Sequence, residues 1–379
     1  MPRAILRSGA EEASRSPEKA VRNLRQWTKI VVIVVAVVAL AGVAVGEVLT
    51  STSPSNPCAG ITTPTSNSTT SVAPASSSIG TRSEGPPSPA IPRDASHVVP
   101  SDGPIPVVAA ENFWGSLVSQ LGGNQTSVLS ILTDPNADPH EYEANLSDAR
   151  AISNAQFVIV NGVGYDDWAL HLIAADGNSN QVVLNVGDLN SVSETGGIVT
   201  GNPHMWYNPV YVNNTLAAMY SDLVSIRPSA TSYFQTNYVA LNVSLGQLYG
   251  QATAIRNQFA GTVVASTESI FVYLANFTHL NLVSPPAFMK AIAEGSDPPT
   301  QSVVQFQCQL ESGHVRVMVY NLQTVTPITD NMKAIAAANN VTIVGITETI
   351  QPSDYTFQEW MGAGYLALAN ALNANTLGK

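Results

Sequence analysis

The sequence predicts an α/β protein with two lobes, each a parallel β-sheet flanked by helices, joined by one long spine α-helix. Three observations predict this fold class. Short apolar runs alternate with segments of helical spacing over 105–186, the alternation stops over 209–259, and it resumes over 262–372. Strands that alternate with helices are typical of parallel βα units. The long interruption therefore separates two α/β segments.

The first α/β segment contains four predicted strands and three predicted helices. The strands are Ile105–Ala110, Ser127–Leu132, Phe157–Val160 and Gln181–Val186, and the helices are Asn112–Leu121, Asp148–Asn154 and Asp167–Ala175. The first helix runs into the pair Gly122-Gly123, which is a typical end for a helix. This segment predicts an N-terminal lobe over 104–227.

The middle of the chain predicts two helices, separated at Arg227-Pro228. The second helix, Ser229–Gln258, carries apolar residues at helical spacing: Tyr233, Phe234, Tyr238, Leu241, Leu245, Leu248 and Tyr249. About 30 residues make a helix roughly 45 Å long. A helix of this length between two α/β segments is a candidate link between lobes, and we place it over 228–259.

The second α/β segment predicts a C-terminal lobe over 260–379. Its predicted strands are Thr262–Ala265, Val315–Tyr320 and Thr342–Ile346, and its predicted helices are Ser269–Asn276, Gln301–Ser312, Thr326–Asn339 and Tyr355–Leu372. We find no tandem repeat relating the two lobes. The two segments are of similar size.

The residues before the first lobe predict export from the cytoplasm. Residues 1–29 form a basic segment with seven Lys or Arg and three Glu, and residues 30–49 are hydrophobic, with no charge over Ile30–Gly46. This pattern predicts an uncleaved signal anchor or a cleaved signal peptide, with the body outside the cytoplasm. Residues 50–103 are rich in Ser, Thr, Pro and Gly and predict a disordered stalk. We expect a membrane-attached protein, or a secreted one if the signal is cleaved.

Charge and cysteine content exclude some classes of partner and site. Charged residues are only 11% of the chain and the formal net charge is −11, which argues against a nucleic-acid partner. The two cysteines, Cys58 and Cys308, predict either one disulfide or two free thiols. No Cys-x-x-Cys pair or Cys/His cluster occurs, which argues against a structural zinc site.

Two similar His-containing turns stand out among the six histidines. His140 lies in Asp138-Pro139-His140-Glu141-Tyr142-Glu143, and His204 lies in Asn202-Pro203-His204-Met205-Trp206-Tyr207-Asn208-Pro209. The proline before each histidine favours an extended local backbone. Both turns are expected at the ends of parallel strands, where α/β folds bind their ligands. Two imidazoles presented there can converge on one divalent cation, although a capping or buried-turn histidine is the alternative.

Two carboxylates occupy corresponding places in the second lobe. Glu268 follows the predicted strand Thr262–Ala265, and Glu348 follows Thr342–Ile346. Each glutamate could simply favour the dipole at the start of a helix. Because a cleft between the lobes would bring the ends of these strands towards His140 and His204, we expect these four residues to form one metal site.

Four segments resemble the metal-specific solute-binding proteins of zinc, manganese and iron ABC importers. The first combines the His140 turn with Ala155-Gln156-Phe157-Val158-Ile159-Val160-Asn161-Gly162 and Tyr165-Asp166-Asp167-Trp168. The others are the His204 turn, Ser266-Thr267-Glu268-Ser269-Ile270-Phe271-Val272-Tyr273-Leu274, and Thr347-Glu348-Thr349. The similarity covers roughly 105–373. Two departures are visible: the acidic, His-rich loop of zinc members is absent, and a hydrophobic anchor and stalk replace the lipid-anchoring cysteine.

The resemblance implies a function, a set of ligands and a set of partners. The metal ligands would be His140, His204, Glu268 and Glu348, in a cleft between the lobes. The protein would capture a divalent transition metal and deliver it to an ABC permease dimer with its ATPase, and would not be an enzyme. The oxygens of two carboxylates are hard donors, and such a ligand set favours Mn(II) or Fe(II) over Zn(II). A metal-dependent adhesin or structural module, or a metallohydrolase, remains an alternative.

Overall fold

The computed structural model describes Cys58 and residues 103–136, 139–176, 178–195, 197–198 and 200–374. The predicted basic segment, hydrophobic segment and stalk therefore lie outside the described residues, apart from Cys58 and Gly103, and so does Asp138. Neither cysteine is a free thiol, since both are disulfide-bonded. Within the described residues, no helix combines the length and the apolar character that crossing a bilayer requires.

The first sheet contains four parallel strands in the order β2-β1-β3-β4. The strands are β1 (Ile105–Glu111), β2 (Thr126–Leu132), β3 (Phe157–Val160) and β4 (Val182–Asn185), and the helices among and after them are α1 (Asn112–Gly122), α2 (Leu146–Asn154), α3 (Asp167–Asp176), α4 (Val186–Leu189) and α5 (Pro209–Ile226). All carboxyl ends of the strands therefore lie along one edge of the sheet.

The second sheet repeats this arrangement, with the strand order β6-β5-β7-β8 and all pairs parallel. The long helix α6 (Thr231–Phe259) precedes it. The strands are β5 (Val263–Ser266), β6 (Asn281–Leu282), β7 (Val317–Asn321) and β8 (Thr342–Ile346), and the helices are α7 (Val272–Thr278), α8 (Pro286–Ala293), α9 (Thr300–Glu311), α10 (Pro327–Ala338) and α11 (Phe357–Ala374). The predicted two-lobed α/β fold class is confirmed.

One hydrophobic core covers a face of both sheets. Alternate strand residues point to opposite faces, so Val107 of β1 joins this core with Val264 of β5 and Val317 of β7. Their neighbours Val108 and Met318 instead enter two separate clusters on the outer faces. Because one continuous core connects the two sheets, it fixes where their carboxyl edges lie relative to each other.

Helix α6 supplies much of the contact between the lobes. Its buried residues follow an apolar stripe: Phe234, Leu241, Leu245, Leu248, Ala252, Ile255 and Phe259. Spacings of three, four and seven residues keep this stripe on one face of the helix. Tyr233, which we expected in the stripe, is 38% exposed, because its position turns it away from the core. The 29-residue helix otherwise matches the predicted spine closely.

Two elements of the second lobe were not predicted from the sequence. Strand β6 contains only Asn281 and Leu282, and helix α8 begins directly after Ser284-Pro285. A two-residue strand is too short to show a period of two. Helix α8 has proline at its first position, which is compatible with a helix start because that N–H needs no intrahelical partner.

Candidate metal centre

The structure brings the four predicted residues together. One ligand atom from each of His140, His204, Glu268 and Glu348 lies within 4.8 Å of every other. The two glutamates follow β5 and β8 directly, His140 lies in a short 3₁₀ turn after β2, and His204 precedes a second such turn after β4. The four residues thus come from the carboxyl edges of both sheets.

The four side chains face one another through nitrogen and oxygen atoms. His204 Nε2 lies 3.1 Å from Glu268 Oε1 and 3.6 Å from Glu348 Oε2, and His140 Nε2 lies 3.4 Å from Glu348 Oε2. The side chains of His204 and both glutamates are fully buried, and that of His140 is 14% exposed. His140 is therefore the one of the four that borders solvent.

The orientation of the His204 ring is fixed by Asn202. The side-chain amide of Asn202 donates to the Ser269 carbonyl at 2.7 Å, which identifies its other atom as the carbonyl oxygen. That oxygen accepts the His204 backbone N–H at 3.0 Å and lies 2.6 Å from His204 Nδ1. Nδ1 must carry the proton to donate to a carbonyl oxygen, so Nε2 presents a lone pair to the cluster.

Asn202 also ties the His204 turn to the second lobe. Tyr273, at the start of α7, donates its hydroxyl to the Asn202 carbonyl at 2.9 Å. The Asn202 side chain reaches Ser269, which follows Glu268 in the chain. These two contacts couple the position of His204 to the position of Glu268 across the lobes.

Polar side chains behind the carboxylates hold them in place. Tyr165 donates its hydroxyl to Glu348 Oε2 at 2.8 Å. Asn321, the last residue of β7, donates to Glu348 Oε1 at 2.6 Å and also to Glu268 Oε2. The side-chain carbonyl of Gln323 accepts the backbone N–H of Glu348 at 2.7 Å. Both carboxylates are thus positioned by neutral donors and not by lysine or arginine.

The loop that carries Tyr165 is held by a buried carboxylate. Asp166 accepts the backbone N–H groups of Asn161 at 2.6 Å and Gly162 at 2.7 Å. The φ angle of Gly162 is +74°, a conformation that glycine adopts without steric cost. The Tyr165 ring meets the His140 ring edge-on, with centroids 4.8 Å apart. The loop therefore supports both a histidine and a glutamate of the cluster.

The electrostatics of the cluster favour a divalent cation. Two buried carboxylates with two neutral imidazoles carry a charge of about −2, which is costly to bury without compensation. His204 Nε2 and Glu268 Oε1 are buried and face each other at 3.1 Å, with no other hydrogen-bond partner. Buried polar atoms need such a partner, and when the imidazole is neutral a cation can provide it. Nitrogen and oxygen donors in this combination suit first-row transition metals.

The same charges shift the pKa values of ionisable side chains in the cluster. Burial lowers the pKa of His204, but the adjacent Glu268 and Glu348 raise it more, and the net shift is upward from 6.5. Burial acts to raise the pKa of Glu348, yet His140 and His204 lower it well below its usual range. In the absence of a cation, a proton on His204 therefore compensates part of the carboxylate charge.

A cavity of about 430 Å³ borders the exposed side of the cluster. Its lining includes His140, Gly164, Asn202, Ser269 and the side chains of Lys290 and Glu294 at its rim. Lys290 and Glu294 form an exposed ion pair at 3.5 Å. Of the four clustered residues, His140 is the one that this cavity reaches.

Sequence reasoning found the four central residues but not the side chains that orient them. Asn202 and Tyr165 lie inside the quoted motifs, where no role was assigned to them. Asn321 directly follows the predicted strand Val315–Tyr320, so the placement at a carboxyl end that selected Glu268 would also have selected it. The described histidines outside the cluster, His171, His279 and His314, are exposed, and His97 lies outside the described residues.

Two parallel sheets with converging donor groups at their carboxyl edges define a two-lobed α/β binding protein. The chain belongs to the ZnuA family, described as zinc-uptake complex component A, periplasmic, whose model matches residues 107–371. Members of this family are solute-binding proteins, as the sequence resemblance implied.

The individual relatives that match this chain have low sequence identity to it. The manganese-binding lipoprotein MntA of Halalkalibacterium halodurans is 26% identical over 168 residues, which are 42% of this chain and 54% of that protein. The metal ABC transporter substrate-binding lipoprotein SloC of Streptococcus mutans is 24% identical over 192 residues, 46% of this chain and 60% of SloC. The matched region thus spans about half the length of the curated relatives.

A solved structure shows the same fold. The periplasmic zinc-binding protein TroA of Treponema pallidum superposes with a TM-score of 0.62 at 16% identity, over 71% of this chain and 99% of TroA. At this identity the likeness concerns the fold.

A second pair of buried carboxyl groups lies near the cluster. Glu111, at the end of β1, is fully buried, and its oxygens accept no hydrogen bond. Burial, followed by the charge of Asp166 and a hydrogen bond to it, raises the pKa of Glu111 well above its usual range. Since Asp166 already accepts two backbone N–H groups, we assign the shared proton to Glu111.

We predict that Glu111→Gln removes a pH-dependent loss of stability. In the folded protein Glu111 keeps its proton at pH values above its pKa in the unfolded chain. The free energy of unfolding of the wild type is therefore undiminished below about pH 4.5. It falls by about 1.4 kcal/mol per pH unit as pH rises towards the pKa of Glu111 in the folded protein. Glutamine keeps a donor for Asp166 without this cost. Chemical denaturation at several pH values should show that the free energy of unfolding of the variant increases relative to that of the wild type as pH rises.

The exposed Glu143→Gln substitution is the matched control, and its curve should stay parallel to the wild-type curve. A Glu111→Gln curve parallel to the wild type from about pH 4.5 to about pH 8 would show that Glu111 ionises normally in the folded protein, contrary to this assignment.

Proposed function

We propose that this protein is an extracytoplasmic receptor that captures one divalent transition-metal ion and delivers it to an ABC permease. The observation that carries the proposal is the convergence of His140, His204, Glu268 and Glu348 with their donor atoms within 4.8 Å. The ion is cargo, bound at the facing edges of the two sheets and released to the membrane subunits. The names of MntA and SloC, a manganese-binding lipoprotein and a metal ABC transporter substrate-binding lipoprotein, support this proposal.

Capture follows from the arrangement of the donors. An ion entering along the cavity beside His140 meets an imidazole at the solvent border and three fully buried ligands behind it. The Asn202 carbonyl oxygen holds His204 Nδ1, so the ring already directs Nε2 at the cluster and needs no reorientation. The two carboxylates neutralise the charge of the ion. Because one core spans both sheets, we expect only modest closure of the lobes.

Delivery requires attachment outside the cytoplasm and a membrane partner. We propose that hydrophobic residues 30–49 anchor the protein, or direct its secretion if cleaved, and that residues 50–103 hold the lobes away from the bilayer. The surface around the cavity would dock on a permease dimer whose ATPase drives transport. An enzymatic role is not proposed, since the family consists of solute-binding proteins. An adhesin is less favoured, because adhesion does not call for four buried, oriented donors.

We propose Mn(II) or Fe(II) as the preferred cargo over Zn(II). The donor set contains two carboxylate oxygens and two imidazole nitrogens, and oxygen donors suit Mn(II) and Fe(II) better than a set with more imidazoles. Zn(II) has the higher intrinsic affinity for most such sites, so the margin is narrow. In a competition titration, tight four-coordinate Zn(II) binding without measurable Mn(II) binding would reject this preference.

We predict that bound metal depends on the four clustered residues. The purified protein should bind one Mn(II), Fe(II) or Zn(II) ion, and the double variant His140→Ala/Glu268→Ala should bind none, because two of four donors are lost. Metal analysis after reconstitution and dialysis measures the stoichiometry, and a turnover assay on ester and phosphoester substrates should show no hydrolysis. His171→Ala, which removes an exposed histidine, is the matched control and should retain the ion.

No bound metal in the wild type, even after reconstitution, would mean that the four residues only complete a polar core. Equal metal content in the wild type and the double variant would place the ion elsewhere.

We predict that metal affinity depends on pH. Protons compete with the ion for His204 Nε2, and the pKa of His204 lies above 6.5. Affinity should therefore be constant at pH values above that pKa and fall as pH drops through it, by about tenfold per pH unit for each proton displaced. Isothermal titration from about pH 8 to about pH 5 measures this profile.

The His171→Ala variant should reproduce the wild-type profile, since its imidazole lies outside the cluster. An affinity that stays flat over the same range would mean that no imidazole is a ligand.

A further inference from the structure

Asn321 contacts both carboxylates of the cluster with one amide nitrogen. It is 1% exposed and ends strand β7. Its Nδ2 donates to Glu348 Oε1 at 2.6 Å and to Glu268 Oε2. The orientation of the amide is defined, because Asn321 Oδ1 accepts the Gln323 backbone N–H at 3.0 Å. The amide hydrogens therefore point towards the two glutamates, and Nδ2 also lies 3.0 Å from Thr324 Oγ1.

These hydrogen bonds divide the oxygens of each carboxylate into two kinds. Glu268 Oε1 and Glu348 Oε2 face His204 Nε2, at 3.1 Å and 3.6 Å. The opposite oxygens, Glu268 Oε2 and Glu348 Oε1, are the ones that Asn321 holds. Thr324 adds a hydroxyl donor to Glu348 Oε1 at 3.3 Å. Each glutamate thus has one oxygen facing the imidazoles and the opposite oxygen held by Asn321, and the facing oxygen of Glu348 also accepts the Tyr165 hydroxyl at 2.8 Å.

We propose that Asn321 determines metal selectivity by keeping both glutamates monodentate. The inference rests on the proposed function, in which the four residues bind the ion. With Asn321 in place, the protein offers four donors, two nitrogens and two oxygens, which is sufficient for a tetrahedral ion such as Zn(II). An ion that requires more donors, such as Mn(II), would have to recruit a carboxylate oxygen that already accepts a hydrogen bond from Asn321.

Asn321 therefore reduces the preference for Mn(II) over Zn(II) that two carboxylate ligands would otherwise produce. The hydrogen bonds concerned join an amide to buried carboxylates, and a carboxylate acceptor makes a hydrogen bond stronger than one between neutral groups. Side chains that contact ligands in this way typically change metal affinity by about 10-fold to 100-fold when they are replaced. Removing Asn321 should free one oxygen on each glutamate and make a higher coordination number accessible.

The test compares Asn321→Ala with the wild type in the full-length protein. Affinities for Mn(II) and Zn(II) are measured by competition with a chelator, and coordination is measured from the visible spectrum of bound Co(II), which is intense for four-coordinate and weak for six-coordinate ions. We expect the Mn(II)/Zn(II) affinity ratio to rise about tenfold in the variant. The Co(II) spectrum should change from the four-coordinate towards the six-coordinate form.

Asn112→Ala is the matched control. Asn112 Oδ1 accepts the Ile350 backbone N–H at 2.9 Å, so its loss loosens the loop that carries Glu348 without touching either carboxylate. It should weaken Mn(II) and Zn(II) binding alike and leave their ratio unchanged. An equal change of the ratio in both variants would attribute the effect to general loosening and overturn the proposal.

Other outcomes separate this inference from the proposed function. If both wild type and Asn321→Ala bind metal with the same Mn(II)/Zn(II) ratio and Co(II) spectrum, Asn321 does not control selectivity, while the receptor function stands. If the wild type binds no ion, the proposed function itself fails. If Asn321→Ala does not fold by circular dichroism, Asn321→Ser takes its place, since one hydroxyl hydrogen can hold only one carboxylate and should give a smaller shift in the same direction.

Discussion

The burial of two carboxylates beside the same imidazole is the constraint around which this site is built. Glu268 and Glu348 have no exposed surface, and both lie within 3.6 Å of His204 Nε2. No lysine or arginine pairs with either glutamate among the described residues; neutral donors from Tyr165 and Asn321 orient them. Neutral donors position a carboxylate without cancelling its charge, so the charge remains for a cation. A lysine in the same place would favour the empty site over the loaded one.

The fold provides this constraint by placing two carboxyl edges opposite each other. Helix α6 and the core it shares with both sheets fix the lobes, and cross-lobe hydrogen bonds from Asn202 and Tyr165 complete the arrangement. The burial of apolar side chains along α6 thus offsets part of the free-energy cost of burying charge at the cluster. In the proposed function, a stiff frame of this kind would keep the donor atoms close together before the ion arrives, which would reduce the reorganisation that binding requires.

The sequence predicts those parts of the fold that follow from local periodicity. The apolar stripe of α6 and the strands that end before Glu268 and Glu348 can be read directly, and parallel topology then brings the four central residues to facing edges. The strand order could not be read, since β5 pairs with both β6 and β7 through contacts that no local pattern records. The roles of Asn202 and Asn321 were missed for a related reason. A short polar side chain is ordinary in a turn or at a strand end, and only its partners across the lobes reveal what it does.

Diffraction from crystals soaked in Mn(II), with anomalous differences collected at the manganese absorption edge, tests the central claim most directly. We predict one anomalous peak between the two sheets, bonded to His140, His204, Glu268 and Glu348. A strong peak elsewhere with this cluster empty, or a cluster that stays empty in crystals soaked in Mn(II), Fe(II) and Zn(II) in turn, would contradict the account.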